Sequence, residues 1–562
     1  MTGPLDPIAA VASTLAPGGD QAFPTLSPQQ IERISAYGKR RRVARGEVVV
    51  RSGERSPSFF VVISGTLEVF NAANNVDSVI VVHRAGQISG EISALSGRRA
   101  VFSIRAGEDG ELIEISHDRV LHIVQGDAEL SEILMRAFLL RRARLVAARL
   151  GDVVLIGSTH SQDTLRIQEF LTRNTHPYSF VDLERDPGVQ ELLDRFQVGI
   201  AETPVVICRG EVVLRNPTDE EIADCLGFND KIDQLQIHDV VIVGAGPSGL
   251  AAAVYAASEG LDTLVLESSA PGGQAGSSSR IENYLGFPSG ISGQELTARA
   301  YTQSQKFGAQ LVVTTPATRL ECNQRQYVIH LADDTSVLAR TVIIATGAQY
   351  RKLALPEAKR FEGVGIYYGA TFVESQLCAG EEIVIVGGGN AAGQAAVFLS
   401  QSARHVHILV RSDGLAESMS RYLIRRIEES PGITLHSRTE ITGLDGKEHL
   451  ECVRWRDGRT GESESRDIRH VFVMTGATPT SGWVKGCVAM DSQGFIKTGA
   501  DLTREELTAA HWPLTRAPHL LETSRPGLFA VGDVRAGNIK RVASAVGEGS
   551  ISVSFVHQAL RE

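Results

Sequence analysis

The sequence predicts a multidomain chain: an N-terminal β-barrel with helices, a small α/β module, then two interleaved α/β domains built on parallel sheets. Three observations predict it. A length of 562 residues corresponds to three or four domains. Short strand-like runs separated by glycine turns occupy the chain up to about Leu150. Two glycine-rich turns, each between an apolar strand and a small-residue helix, begin at Gly244 and Gly387. They give an address to a glycine content of 55 residues, above the usual ~7%.

In the first segment, 1–150, Glu47–Arg51, Phe59–Ile63, Thr66–Phe70, Ser78–Val82 and Leu112–Ile115 read as strands. Alternation such as Thr66-Leu67-Glu68-Val69-Phe70 suits a half-buried strand. Asp127 to Ala148 lacks turn residues and reads as helical. The net charge of −10 gives no whole-chain attraction to nucleic acid, so Lys39-Arg40-Arg41-Arg42 reads as a solvated edge.

The second segment, 151–230, carries strands at Val153–Ile156, Ser179–Leu183, Thr203–Cys208 and Glu211–Leu214. Helices are expected at Gln162–Thr175 and Gly188–Phe196, and a polar stretch, Asn229–Gln236, leads out.

The third segment opens on the apolar strand Val240–Val243, the turn Gly244-Ala245-Gly246-Pro247-Ser248-Gly249 and the helix Leu250–Ser258. The first glycine permits the tight turn and the second lets backbone approach a pyrophosphate. The third, Gly249, allows close helix–strand packing. The phosphate charge then rests on the helix N-terminus. Glu267, ending the next strand, is placed to accept from a ribose hydroxyl. The second unit runs from strand Ile383–Val386 through Gly387-Gly388-Gly389-Asn390-Ala391-Ala392 into a helix and the strand His405–Val410. Its strand ends in Arg411, where an arginine accommodates a 2′-phosphate, so NADPH is favoured over NADH. Two Rossmann-type units imply two dinucleotides. The expected division is 237–355 with 480–562 for the first nucleotide domain and 356–479 for the second. His405 and His407 share a strand face and read as packed or surface side chains.

The six cysteines, Cys208, Cys225, Cys322, Cys378, Cys452 and Cys487, form no C-x-x-C. Scattered, unpaired thiols suit a reducing cytoplasm. The first residues show neither a basic leader nor an apolar core. The longest apolar stretch, Val240 to Ala257, is interrupted by glycines and proline, so no membrane span is expected.

Three resemblances extend this. Gly46-Glu47, Gly53, Phe60–Gly65 and the stretch Gly90-Glu91 to Arg99-Ala100 resemble a cyclic-nucleotide-binding domain. The resemblance implies that Glu91 takes a ribose hydroxyl and Arg99 the cyclic phosphate. Ser89 and Arg98 stand where that family carries an aromatic and a proline, so a barrel used only for docking is the other reading. The second segment resembles a thioredoxin-like fold, with Thr203-Pro204 at its cis-proline position. Its redox C-x-x-C is replaced by Ser158-Thr159-His160-Ser161.

Residues 238–562 resemble the low-molecular-weight thioredoxin reductases, through Gly272-Gly273-Gln274, Glu282–Pro288, Ala345-Thr346-Gly347-Ala348 and Gly532-Asp533. That resemblance implies FAD held by Gly244, Gly246, Gly249, Glu267, Gly273, Gln274, Asn283, Gly532 and Asp533, with Lys540, Arg541, Val542 and Ala543 near its ring. It implies NADPH held by Gly387, Gly389, Ala392 and Arg411. The family's His-Arg-Arg is Val410-Arg411-Ser412 here, with Arg421 or Arg425 as candidate replacements. The family's two redox cysteines fall at Gly369 and Phe372.

The expected function is therefore an FAD-dependent NAD(P)H oxidoreductase giving electrons directly to a quinone, a protein, a small organic substrate or oxygen. A cyclic nucleotide is the expected modulator. Disulfide reduction through Cys378 or Cys208, or a sensor with incidental turnover, are the alternatives. A homodimer is the family default, and an insertion at 501–519 is expected to form a loop or lid.

Overall fold

The computed structural model describes residues 21–562 apart from 56–57, 74–75, 91–97, 148–150, 160, 187–188, 190–192, 195–198, 200–201, 210–211, 230–231, 279, 323–325, 371 and 417. Glu91 and most of the helix expected at Gly188–Phe196 lie outside the described residues.

The barrel comprises β1 (Lys39–Val43), β2 (Val48–Val50), β3 (Phe59–Ser64), β4 (Leu67–Ala73), β5 (Val76–His83), β6 (Ile88–Ser89), β7 (Ser103–Ala106) and β8 (Gly110–Ile115). Two four-stranded antiparallel sheets, ordered β1-β8-β3-β6 and β2-β7-β4-β5, face each other. Phe60, Val62, Leu67, Ile104 and Leu112 fill the space between them. The basic cluster is β1. Its charges are held along β8 and the β1–β2 turn, Arg41 reaching Glu47 at 2.6 Å and Glu114 at 3.1 Å. It is a solvated edge, as expected, but also a strand that charged residues on both faces gave no means of seeing. The expected helical run is one helix, Ala128–Ala147, and a second helix, His117–Gly126, precedes it. Their apolar faces close one barrel face around Phe138.

The next module has a four-stranded sheet ordered β10-β9-β11-β12: β9 (Val153–Gly157), β10 (Tyr178–Asp182), β11 (Val205–Cys208) and β12 (Val212–Arg215). β9 and β10 are parallel, and β11 runs antiparallel to its neighbours. The Thr203-Pro204 bond ahead of β11 is cis. Ser161 caps the Gln162–Arg173 helix by accepting from the Thr164 amide. Thr218 and Glu221 form a reciprocal capping box on the Asp219–Leu226 helix.

The remaining chain forms two domains, the first on a mixed, mainly parallel sheet and the second on a parallel one. The first contains β13 (Ile237–Val243), β14 (Thr263–Leu266), β15 (Gln310–Val312), β16 (Ala317–Glu321), β17 (Tyr327–Leu331) and β18 (Ser336–Ile344). β19 (Ala348–Tyr350) follows, and the chain crosses to the second domain: β20 (Ile366–Tyr367), β21 (Glu382–Val386), β22 (His405–Leu409) and β23 (Ile433–His436). A meander, β24 (Thr439–Gly446), β25 (Leu450–Asp457) and β26 (Ser463–Arg466), precedes β27 (His470–Val473). β28 (Ala477–Pro479) pairs with β19 where the chain returns, and β29 (Leu528–Ala530) completes the first sheet beside β18. The second sheet is ordered β20-β27-β21-β22-β23. The continuous apolar runs of β13 and β21 follow from burial on both faces.

One expectation is corrected. The thiols are not all unpaired: Cys322 and Cys487 form a disulfide across 165 residues. The compartment reading therefore loses its support in the cysteines. The 501–519 insertion, expected as a loop or lid, is a loop around a short helix, Arg504–Ala509, that lies away from the cleft described below. Arg516 bridges the buried Glu522 and Glu562 at 2.6 Å each, Trp512 donates to the Arg516 carbonyl, and none of its residues lines that cleft. Among the described residues, no helix is long and apolar enough to cross a membrane.

Candidate functional site

A cleft of about 2270 Å³ lies between the two nucleotide-type domains and is roofed by the Gln162–Arg173 helix. Both glycine turns open into it.

In the first turn the three glycines have different neighbours. Gly244 sits at φ +106°, where a Cβ would stand 2.4 Å from the Ala345 carbonyl oxygen. A Cβ on Gly249 would stand 1.8 Å from the Gly244 oxygen. These two are required by the fold. At Gly246 a Cβ would have only Gly273 Cα near it, at 3.9 Å, and would project into the cleft. Glu267 is buried at the end of β14 and accepts from the Ala245 amide at 2.8 Å and the Ser269 amide at 3.0 Å. Its carboxylate still borders the cleft, where it can take ribose hydroxyls. Gly273 and Gln274 form the facing wall, Gln274 donating to the Ala348 carbonyl. Asp533 borders the cleft from a short turn. Burial raises its carboxyl pKa, with Lys540 opposing. Gly532, at φ +71°, donates its amide to Glu548, which Arg535 holds at 2.6 Å. Arg541 and Val542 meet the cleft at the start of the Val542–Ala559 helix. Ala543 is exposed and Asn283 sits on an exposed loop, both outside the cleft wall.

In the second turn Gly387 takes φ +138° beside the Met474 carbonyl, and Ala392 is packed in the core. Around Gly389 a Cβ would meet nothing within 4 Å, although the residue borders the cleft. That is backbone left clear for a pyrophosphate at the Asn390–Leu399 helix N-terminus. The residues present therefore fit two dinucleotides. Arg411 borders the same end, beside Ser412 and Ser418. Arg421 and Arg425 lie outside the wall, and Arg426 is held by Glu282 at 3.0 Å. Among the described residues, Arg411 is the cation that borders the cleft beside Ser412 and Ser418. Replacing it with alanine is expected to raise KM for NADPH by about tenfold and leave KM for NADH unchanged. Steady-state titration with both nucleotides checks this.

Gly369 borders the cleft, whereas Cys378 does not. The Cys378 thiol is packed in the second domain's core, donates toward the Ser375 carbonyl and is pushed up to about 11 by burial. Among the described residues, no dithiol faces the cleft. His407 is buried against His436 and Trp455 and burial pushes it down to about 4. No metal-holding group of three or more His, Cys, Asp or Glu occurs among the described residues.

Sequence reasoning missed the roof. Arg173 donates to the Ala270 and Gly273 carbonyls at 3.1 and 3.3 Å, fastening the helix to the first nucleotide turn. Gln294 donates to the Thr172 carbonyl, and Gln162 to that of Glu362. Nothing in local periodicity signals contacts across 100 or 200 residues. The barrel's Arg99 is turned toward the second module: it donates to the Gly53 carbonyl and packs on Gly227, while Ala100 faces the barrel core.

Residues 238–549 match the family model for pyridine nucleotide-disulphide oxidoreductases, and residues 40–127 the cyclic nucleotide-binding domain. The thioredoxin reductase of Mycolicibacterium smegmatis is 34% identical over 314 residues, covering 56% of this chain and 93% of that protein. That of Bacillus subtilis is 32% identical, covering 58% and 96%. The solved thioredoxin reductase of Lactococcus lactis superposes with a TM-score of 0.51 at 27% identity, over 58% of this chain and 99% of its own. With two dinucleotide cradles already in its geometry, this chain belongs to the pyridine nucleotide-disulphide oxidoreductases, as a thioredoxin-reductase-like enzyme using FAD and NADPH behind a cyclic-nucleotide-binding domain.

Proposed function

We propose that the protein passes electrons from NADPH through FAD directly to an acceptor that enters the cleft, with no dithiol in between. The observation that carries this is Gly369 at the wall and Cys378 buried away from it, where the fold's relatives place a redox pair. When bound, the two cofactors supply the hydride and electron transfer. The chain binds, orients and excludes water. Gly244, Gly246 and Gly249 shape the seat of the FAD pyrophosphate, and Glu267 takes ribose hydroxyls. Gly273, Gln274, Gly532 and Asp533 close around the remainder, with Arg541 and Val542 beyond. Gly387, Gly389 and Ala392 seat the NADPH pyrophosphate and Arg411 its 2′-phosphate. The roof helix narrows access, which favours a quinone or other small organic acceptor over a docked protein.

In this reading the domains are 1–150, 151–230, 237–355 with 480–562, and 356–479. The second module is thioredoxin-like in sheet order and cis-proline but acts as a cap, since Ser161 serves as a helix N-cap rather than a redox group. The barrel takes a cyclic nucleotide that modulates turnover, and the enzyme is a cytoplasmic homodimer.

Anaerobic NADPH should bleach the flavin absorbance within the turnover time, and a quinone should restore it. Cys378→Ser should retain this activity. Bleaching by neither NADPH nor NADH, or NADPH-dependent disulfide reduction abolished by Cys378→Ser, would overturn the reading.

A further inference from the structure

Two thiols that the cleft does not use lie together in the second module. Cys208 ends β11 and is buried beneath the Asp219–Leu226 helix, among Ile222 and Leu226. Cys225, on that helix, is half-buried and packs against the same core cluster as Cys208. Arg209 brackets Cys225, its Nη1 donating to the Cys225 carbonyl at 2.8 Å and its Nη2 lying 4.0 Å from the sulfur. From the other side comes the barrel. A Cβ on Gly53 would stand 2.8 Å from Arg209 Cδ, and one on Gly227, two residues after Cys225, would stand 2.3 Å from Arg99 Nε. Arg55 adds a further positive charge beside Arg99.

A hydrogen bond with Cys208 and the Arg209 charge hold the Cys225 thiol down to about 7, while the same bond and burial push Cys208 up. A thiolate in a cationic, partly accessible setting with a second thiol alongside has the chemistry of a peroxide-sensing pair.

We propose that Cys225 is a hydroperoxide-reactive thiolate and Cys208 its resolving thiol, forming a reversible disulfide at the junction of barrel and α/β module. The Cys225 sulfur attacks the peroxide O–O bond. An S–O bond forms, the O–O bond breaks, and the leaving oxygen takes a proton from solvent and departs as water or alcohol. The Cys208 sulfur then displaces the sulfenic hydroxyl, which leaves as water with the Cys208 proton. Two sulfurs lose two electrons and one peroxide gains them. An external dithiol reverses the step and is itself oxidised to a disulfide. Oxidation removes the anion from among Arg55, Arg99 and Arg209 and so loosens the joint they share. The site is independent of the acceptor at the flavin.

The full-length protein is treated with hydrogen peroxide, alkylated and mapped as peptides without reduction. A Cys208–Cys225 cross-linked peptide is expected, with both thiols protected in parallel. In Cys208→Ser, Cys225 should be trapped by dimedone. In Cys225→Ser, Cys208 should stay reduced. Iodoacetamide labelling of Cys225 should reach half its maximal rate near pH 7, against ~8.5 for an ordinary thiol. A midpoint near the ordinary value overturns the proposal. So does peroxide treatment that modifies Cys452 or Cys378 ahead of Cys225. The wild-type map decides the matter even where a variant fails to fold.

Discussion

Gly249→Val is expected to give a colourless, destabilised protein, whereas Gly246→Val and Gly389→Val should fold normally and each lose one dinucleotide. The distinction lies in what surrounds each glycine. At Gly249 the first added carbon would stand 1.8 Å from the Gly244 carbonyl oxygen, which is backbone and part of the turn itself. Relief requires the Pro247–Ser258 helix to move away from β13, opening a core that includes Val240, Ile242 and Ala252. Overpacking of a rigid site costs about 3 kcal/mol or more. At Gly389 the added carbon enters the cleft with nothing within 4 Å, and at Gly246 it comes no nearer to backbone than 3.9 Å, at Gly273 Cα. The melting temperature should then stay within about 2 °C of wild type. Gly246→Val should purify without flavin. Gly389→Val should keep its flavin but bleach with NADPH at least ~100-fold more slowly, a loss of about 2.7 kcal/mol. Visible absorbance, thermal melts and anaerobic stopped-flow measure all three. A yellow, stable Gly249→Val, or Gly389→Val bleaching at the wild-type rate, would remove the structural basis for the two cradles.

Those glycines were legible because their neighbours are close in sequence: strand, turn and helix lie within about 20 residues, and each leaves a local pattern. The same holds for Glu267 and Arg411 at their strand ends. What was not legible depends on distant docking. β1 is recognised only once Arg41 finds Glu114 across the sheet. Cys322 and Cys487 meet because β16 ends beside the 482–488 segment, which no spacing rule encodes. Arg99 matches a phosphate-binding position in sequence, yet the turn leading into β7 alternates, so that Ala100 fills the barrel and Arg99 faces Gly227. Asn283 and Ala543 occupy the family's motif positions but stand off the wall. Motif membership fixes a backbone position; the orientation of the side chain is fixed by packing.

The largest effect expected away from the cradles is at Arg98, the neighbour that was read only as a departure from a proline. Its guanidinium is buried, lies 4.3 Å from the Phe228 ring centroid and 5.5 Å from that of Tyr301, and donates to the Asn174 carbonyl at 2.9 Å. Two of those partners belong to the second module and one to the first nucleotide domain. Asn174 caps the roof helix, Phe228 follows the second module's last helix, and Tyr301 lies on the Gly293–Lys306 helix of the first nucleotide domain. One barrel side chain therefore joins three units. From Asn174 the neighbouring Arg173 leads to the Ala270 and Gly273 carbonyls at the first nucleotide turn. Arg98→Ala removes a desolvated cation from two aromatic faces and leaves a void, which costs about 2–4 kcal/mol. Lysine should not restore it, because the planar group that lies against both rings is lost. The single thermal transition should split, with the barrel melting first, and limited proteolysis should release a fragment ending near residue 150. Flavin content and anaerobic bleaching by NADPH should remain as in wild type, since Arg98 touches neither cradle. Any change in turnover brought about by cyclic AMP or cyclic GMP should weaken, because Arg98 holds the Asn174 carbonyl at the end of the roof helix, which Arg142 also reaches. An unsplit transition at the wild-type temperature, with a nucleotide response intact in Arg98→Ala, would mean that the barrel is tethered and coupled elsewhere.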